Sequence, residues 1–272
     1  MDSYKELTKI LDSTGFREFY TERIQQSVNK VDYGVRKGVK EFQSVKSAAQ
    51  QYTYESSGKY MVSIDCQLDA PELTVENELI LQCIEVFDWG GVQSSNIINA
   101  INLHRDNVLQ KRLLEWKRWF EDDTTLAITL DNVTWSSGWT KVFSFMFNLT
   151  TIYDSRVAAY INYIFADFHD SLESEECKLI LKSITKYLVS FKGTGTRARC
   201  LNREYRDSLG IKMKSANDEN NFKANKTASW FLRYLCEMEY GELNQKHFRQ
   251  IDKAMFMLGF DIGQIDSNAP FE

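Results

Sequence analysis

The sequence predicts an all-α fold, on three observations. Only two prolines, Pro71 and Pro270, and thirteen glycines punctuate 272 residues, so long stretches can run as uninterrupted helix. Apolar residues recur at helical spacing in one segment after another. A 43% apolar content gives a chain of this length enough material for a real core. An all-β chain would need more turn residues.

Taken in order, residues 4–11 read as a short helix and 16–50 as a long one, rich in charge and poor in breakers. Residues 51–71 are less regular, and Tyr60 to Cys66 fits a short strand, with space for one strand pair near 52–68. Leu79, Ile80, Cys83, Ile84 and Phe87 set a helix over 76–87 that Trp89, Gly90 and Gly91 end. Ser94 or Ser95 can cap a helix to Leu103, and Asp106 one to Phe120. After Asp154, Val157, Tyr160, Ile161, Ile164 and Phe168 share one helical face. Helices near 175–190, 225–239 and 244–258 follow, and 192–221 reads as an exposed connection around a short helix. The expected organisation is two helical subdomains flanking a cleft, one of residues 74–153 and one of residues 1–73 with 154–272.

Composition excludes several classes. Five cysteines and three histidines lie far apart with no Cys-x-x-Cys pair, so neither zinc nor an iron–sulfur cluster is expected, nor any other cofactor. The start of the chain lacks a basic and then apolar leader, and no apolar run approaches bilayer length, which implies a cytoplasmic protein without membrane contact. The net charge of −5 is unevenly spread: from Lys178 to Lys226, twelve basic residues stand against four acidic. That stretch is +8, leaving −13 elsewhere. Such asymmetry suits a face turned to phosphate, though a solvated charged face gives the same pattern.

Lys141 and Asp154 bracket a very apolar segment containing Val142, Phe143, Phe145, Met146, Phe147 and Leu149. A helix with apolar residues on nearly all sides must be deeply buried. The alternation of Phe143, Phe145 and Phe147 also fits a strand, but a helical neighbour follows and no hairpin partner is apparent, which favours helix. A helix over 141–149 would rise roughly 13 Å at about 1.5 Å per residue, and four or five extended residues can return that distance. Lys141 and Asp154 can therefore meet at one end of adjacent helices. Burial and the positive end of the helix dipole both push Lys141 toward the neutral, nucleophilic amine. Asp154 can accept backbone N–H bonds at its own helix start, which favours the ionised carboxylate that stabilises a cationic sugar. The same residues also fit an ordinary N-cap and a lysine that snorkels to water.

The order hairpin, lysine, apolar helix, aspartate resembles the helix-hairpin-helix DNA glycosylases, particularly their 8-oxoguanine branch. The resemblance covers Ser136-Ser-Gly-Trp-Thr-Lys141-Val and Ile152-Tyr-Asp154-Ser-Arg-Val. It implies Lys141 as the Schiff-base lysine and Asp154 as the family's catalytic aspartate. This chain keeps a single hairpin glycine, Gly138, where the family has a pair, and its Lys–Asp spacing is shorter. A looser resemblance adds Phe87-Asp-Trp-Gly-Gly and Asn225-Lys-Thr-Ala-Ser-Trp230. Those segments occur in this order in bacterial proteins similar to defence-associated glycosylases, one type of which removes glucosylated hydroxymethylcytosine from phage DNA.

The reaction so implied extrudes a nucleotide from modified, double-stranded DNA and releases its base. Water attack leaves an abasic site, and covalent attack permits β-elimination. Trp89, Trp139 and Tyr153 are the expected base-stacking residues, with Trp139 preferred and Trp135 nearby in sequence. Gly138, Arg156, Arg197, Arg199 and Arg203 are the expected DNA contacts, and a monomer is favoured. The competing readings are a non-catalytic DNA-binding subunit and a nuclease, the latter lacking a convincing carboxylate set.

Overall fold

The computed structural model of the chain describes residues 1–35, 37–54, 68–92, 94–193 and 195–272. It is mainly helical, as the composition predicts, with small β elements. The N-terminal part contains α1 (Tyr4–Ser13), α2 (Phe16–Phe19), a π-helical turn over Tyr20–Ile24, β1 (Asn29–Asp32), β2 (Val39–Phe42) and α3 (Val45–Gln50). Then come α4 (Glu76–Trp89), α5 (Ser94–Arg105), α6 (Leu109–Glu121), α7 (Trp139–Met146) and α8 (Ser155–Ser171). The remainder comprises α9 (Glu175–Thr185), β3 (Val189–Ser190), α10 (Arg203–Leu209), β4 (Lys212–Met213), α11 (Asp218–Tyr240), α12 (Gln245–Leu258) and α13 (Ile262–Ile265).

The long helix expected over 16–50 is not formed. β1 pairs antiparallel with β2, Val31 facing Lys40. Gly34 and Gly38 take φ of +89° and +65°, a left-handed backbone that glycine adopts freely and that ends a helix. Val31 and Phe42 are buried from this hairpin, so alternation prevails over helix propensity. The strand proposed over Tyr60 to Cys66 lies outside the described residues, while 52–54 and 68 carry no strand. β3 and β4 form a second, parallel pair within the connection after α9, where the sequence suggested only a short helix.

Two packing groups are visible. In one, α4 packs against α5, α6 and α7; in the other, α12 packs against α3, α8 and α11. Buried apolar side chains nevertheless form one continuous cluster. The link is α11, assigned by sequence to the second group. Its Phe222 lies 4.8 to 6.1 Å from the rings of Trp116, Trp119, Phe120 and Phe143, within the first group's core. All eight residues of α7 are buried, its apolar side chains in the core and its polar Thr140 and Ser144 bonded to Asn225 and Arg249. No helix among the described residues is long and apolar enough to cross a membrane.

Candidate functional site

The first turn of α7 is fixed by Ser136. Its Oγ accepts from the backbone N–H groups of Gly138 (3.2 Å) and Trp139 (3.1 Å) and donates to Asn96 Oδ1 on α5 (2.5 Å). Gly138, the N-cap of α7, has an ordinary right-handed backbone (φ −79°), so no left-handed conformation calls for glycine there. A Cβ there would lie 2.7 Å from Asn96 Cγ, and close approach of α5 explains the glycine. Because its N–H is already bonded to Ser136, Gly138 has no free amide for the phosphate contact expected of it. Nor is there a tight hairpin between two helices, for residues 122–138 separate α6 from α7 without helix or strand.

In the first turn of α7, Lys141 directs its Nζ back to Ser137 O at 2.7 Å. Its stem passes α4's C-terminus so closely that a Cβ on Gly90 would lie 2.4 Å from Lys141 Cδ. Burial is the main influence that lowers the Lys141 pKa; Arg156 acts in the same sense and Asp154 opposes it.

The chain returns from α7 through residues 147–153, a segment tied down along its length. Leu149 turns it at φ +48°. Asp252 of α12 accepts from Thr151 Oγ1 (2.5 Å) and Ile152 N (3.2 Å), while Asn225 Nδ2 of α11 donates to Thr151 O (3.1 Å). Tyr153 N donates to Thr140 Oγ1 (2.8 Å), joining the residue before Lys141 to the residue before Asp154. Thr140 in turn donates to Asn225 Oδ1 (2.7 Å), which also receives the Trp135 indole N–H (3.2 Å). Asn225 thus braces both catalytic candidates through their neighbours. Asp154 is the N-cap of α8, its Oδ1 accepting from Arg156 N (2.9 Å) and Val157 N (3.2 Å). Its Oδ2 accepts no hydrogen bond among the described residues.

Lys141 and Asp154 both line one cavity of about 600 Å³, within the few-hundred-to-thousand Å³ range of ligand sites. Its aromatic wall includes Trp89, Trp135, Tyr52, Tyr54, Phe191 and Phe256. Lys141, Arg156, Lys192, Arg199 and Lys214 line it against two carboxylates, Asp154 and Asp252. Burial raises the Asp252 pKa, with Arg249 opposing. Among the described residues no three His, Cys, Asp or Glu side chains gather as metal ligands.

Other expected site residues lie elsewhere. Trp139 is 1% exposed and away from the cavity, packed 5.3 to 6.1 Å from Phe87, Trp116 and Phe143, with its indole donating to Asn99. Tyr153 is fully buried, its hydroxyl at 3.3 Å from the Val189 backbone. Both belong to the core because each sits on the face of its segment opposite Lys141 or Asp154. Arg203 is exposed on α10 beside Asp207 (3.7 Å), outside the cavity. Lys226, counted with the basic stretch, is enclosed in the core. The basic stretch therefore divides: Lys192, Arg199 and Lys214 reach the cavity, while Lys186, Lys212 and Lys223 line a separate groove.

Sequence reading overlooked Tyr52, Tyr54, Asp252 and Phe256. A signal for Asp252 was present, since it falls among Phe248, Ile251 and Met255 on the apolar side of an amphipathic helix, where a carboxylate needs a reason to be. Comparison with family models, curated proteins and solved structures found no match for this chain.

Proposed function

We propose that this chain is a DNA glycosylase that draws a modified nucleotide out of the duplex and cleaves its N-glycosidic bond. The observation that carries this reading is Lys141 and Asp154 lining one cavity from the first turns of two successive helices. Extrusion is required because C1′ is inaccessible in stacked DNA. Trp89, Trp135 and Tyr54 line the cavity and supply the aromatic surface against which a base would stack. Asp154, with Oδ1 engaged by the α8 amides, keeps Oδ2 for the positive character that grows on the sugar as the base departs. Lys141 in its neutral form donates to Ser137 O and retains a lone pair for C1′ or for a water that attacks it. Attack by Nζ gives a Schiff base and strand nicking by β-elimination; attack by water leaves an abasic site.

Glucosylated hydroxymethylcytosine and an anti-phage role are the substrate and setting that the resemblance suggests. The test is release of free base, read by mass spectrometry, from phage genomes carrying different cytosine and thymine modifications. Release by the natural chain, and its loss in Lys141→Ala, is expected. A borohydride-trapped adduct that depends on Lys141 selects the covalent route. The segment 122–138, long where the family has a tight hairpin, favours a second reading, a non-catalytic DNA-binding subunit. DNA binding without base release across the whole panel would select it.

A further inference from the structure

Neither the fold nor glycosidic cleavage accounts for three guanidinium groups gathered beside the Asp154 edge of the cavity. Arg156, Arg197 and Arg199 converge on one ring, their Cζ atoms 5.1, 4.2 and 5.5 Å from the Phe260 centroid. A purely structural cluster of this kind would be neutralised by carboxylates within salt-bridge distance. None of the three has one within 4 Å among the described residues. Burial and the neighbouring arginines lower Arg199 to about 10, against the opposing pull of Asp154 and Asp261.

Arg199 is the best defined of the three. It is 5% exposed, with Nε donating to Phe260 O (2.8 Å) and Nη1 to Ser155 Oγ (3.3 Å). Its Nη2 is buried with no hydrogen-bond partner among the described residues. A buried charged donor left unpaired bears its full desolvation penalty, which a ligand oxygen would relieve. Arg156 and Arg199 both line the cavity, and Lys192 and Lys214 add positive potential to it. The first amides of α8 are not available to an anion, because Asp154 holds them.

We infer that Arg199 and Arg156, with the exposed Arg197 beside them over Phe260, form an anion subsite for a phosphate group of the nucleotide drawn into the cavity. Several oxygens around one phosphorus match several planar guanidinium forks better than a carboxylate's two can. The subsite would hold the backbone of the extruded nucleotide while Lys141 and Asp154 face its sugar. This inference takes the nucleotide from the glycosylase reading, but the phosphate from the arginines alone.

The test is calorimetric titration of the full chain at low ionic strength with inorganic phosphate, deoxycytidine 5′-monophosphate and deoxycytidine. The monophosphate is expected to bind tighter than either of the others. Arg156→Gln and Arg199→Gln should each weaken monophosphate and phosphate at least tenfold, about 1.4 kcal/mol, and leave deoxycytidine unchanged. If melting shows that Arg199→Gln does not fold, Arg199→Lys takes its place, with about a fivefold loss expected as one ammonium replaces the fork. Phosphate affinity indifferent to Arg156→Gln, or monophosphate binding no tighter than deoxycytidine, overturns the subsite. Arginine-dependent phosphate binding without base release from any DNA keeps the subsite and rejects the glycosylase; base release with arginine-indifferent phosphate binding does the reverse.

Discussion

Lys141 and Lys226 are both buried lysines on helices of the same core, yet one faces an opening and the other does not. Lys226 is fully enclosed between the rings of Trp119 and Trp230, 4.2 and 5.1 Å from their centroids. Its Nζ donates to two backbone oxygens, those of Trp119 and Thr125. Burial brings it down to about 8. Lys141 is lowered by the same cause but faces a cavity, with one backbone acceptor and the Asp154 carboxylate near enough to feel. A depressed lysine pKa is therefore no mark of a nucleophile in this molecule. Asp122 and Asp123 act on Lys226 as Asp154 does on Lys141, so the opening onto a cavity is what distinguishes one lysine from the other.

Methionine at each position gives the sharpest separation. Lys141→Met should lower base release by at least a thousandfold, about 4 kcal/mol in transition-state stabilisation, while water in the cavity solvates Ser137 O and keeps folding within about 1 kcal/mol of the natural chain. Lys226→Met should leave release intact but strand two carbonyls in the core, at about 2–3 kcal/mol of stability. Denaturant unfolding and base release measured on both variants decide the matter. A folded Lys226→Met protein with no activity would collapse the contrast.

Asp154 can be divided in a similar way, because its capping and its charge are separable. Asparagine caps a helix as well as aspartate does, so Asp154→Asn should melt with the natural chain while losing a hundred- to a thousandfold in release, about 3–4 kcal/mol. Asp154→Ala should lose the same activity and about 1 kcal/mol of stability besides. Equal activity in Asp154→Asn would reduce this residue to an N-cap. A smaller effect is expected at Gly90, whose backbone is ordinary (φ −75°), so alanine chiefly meets the Lys141 stem, at 2.4 Å, with a milder contact to Val86 O at 3.3 Å. Gly90→Ala should shift that stem and reduce release about tenfold, about 1.4 kcal/mol, with the melting temperature little changed.

How much of this was legible in the sequence varied with the range of the interaction involved. The helices α4, α8, α11 and α12 could be read because each repeats apolar residues at helical spacing. The stretch 16–50 was misread because local charge and scarce breakers look helical, whereas the pairing of Val31 with Lys40 and the left-handed glycines express a contact across a turn. In the candidate site, Lys141 and Asp154 could be brought together from helix length alone. Tyr52, Tyr54, Asn225 and Asp252 could not, since they reach the cavity or its braces from α11, α12 and the segment after α3, and no spacing within any one segment encodes that convergence. Trp139 and Trp135 show the same limit: four residues apart and chemically alike, one lies in the core and the other lines the cavity.

The smallest expected effect concerns pH and returns to the enclosed lysine. Lys226 titrates at about 8 in the folded chain and at the ordinary 10.5 once unfolded. Between those values the unfolded state binds more protons, so stability rises with pH across that window. The penalty of holding an ammonium in the core is complete below about 8 and is relieved above it. The buried tyrosines act in the opposite sense, but only above about 10, where the unfolded chain loses phenolic protons that Tyr153 and Tyr160 retain. From pH 8 to 9, the natural chain should therefore gain roughly 1 kcal/mol over Lys226→Met, read as the difference between their urea midpoints. The contribution of Lys141 has the same sign, but it is common to both proteins and cancels. A gain of equal size in Lys226→Met would mean that water reaches Lys226 and that its enclosure differs less from that of Lys141 than their surroundings imply.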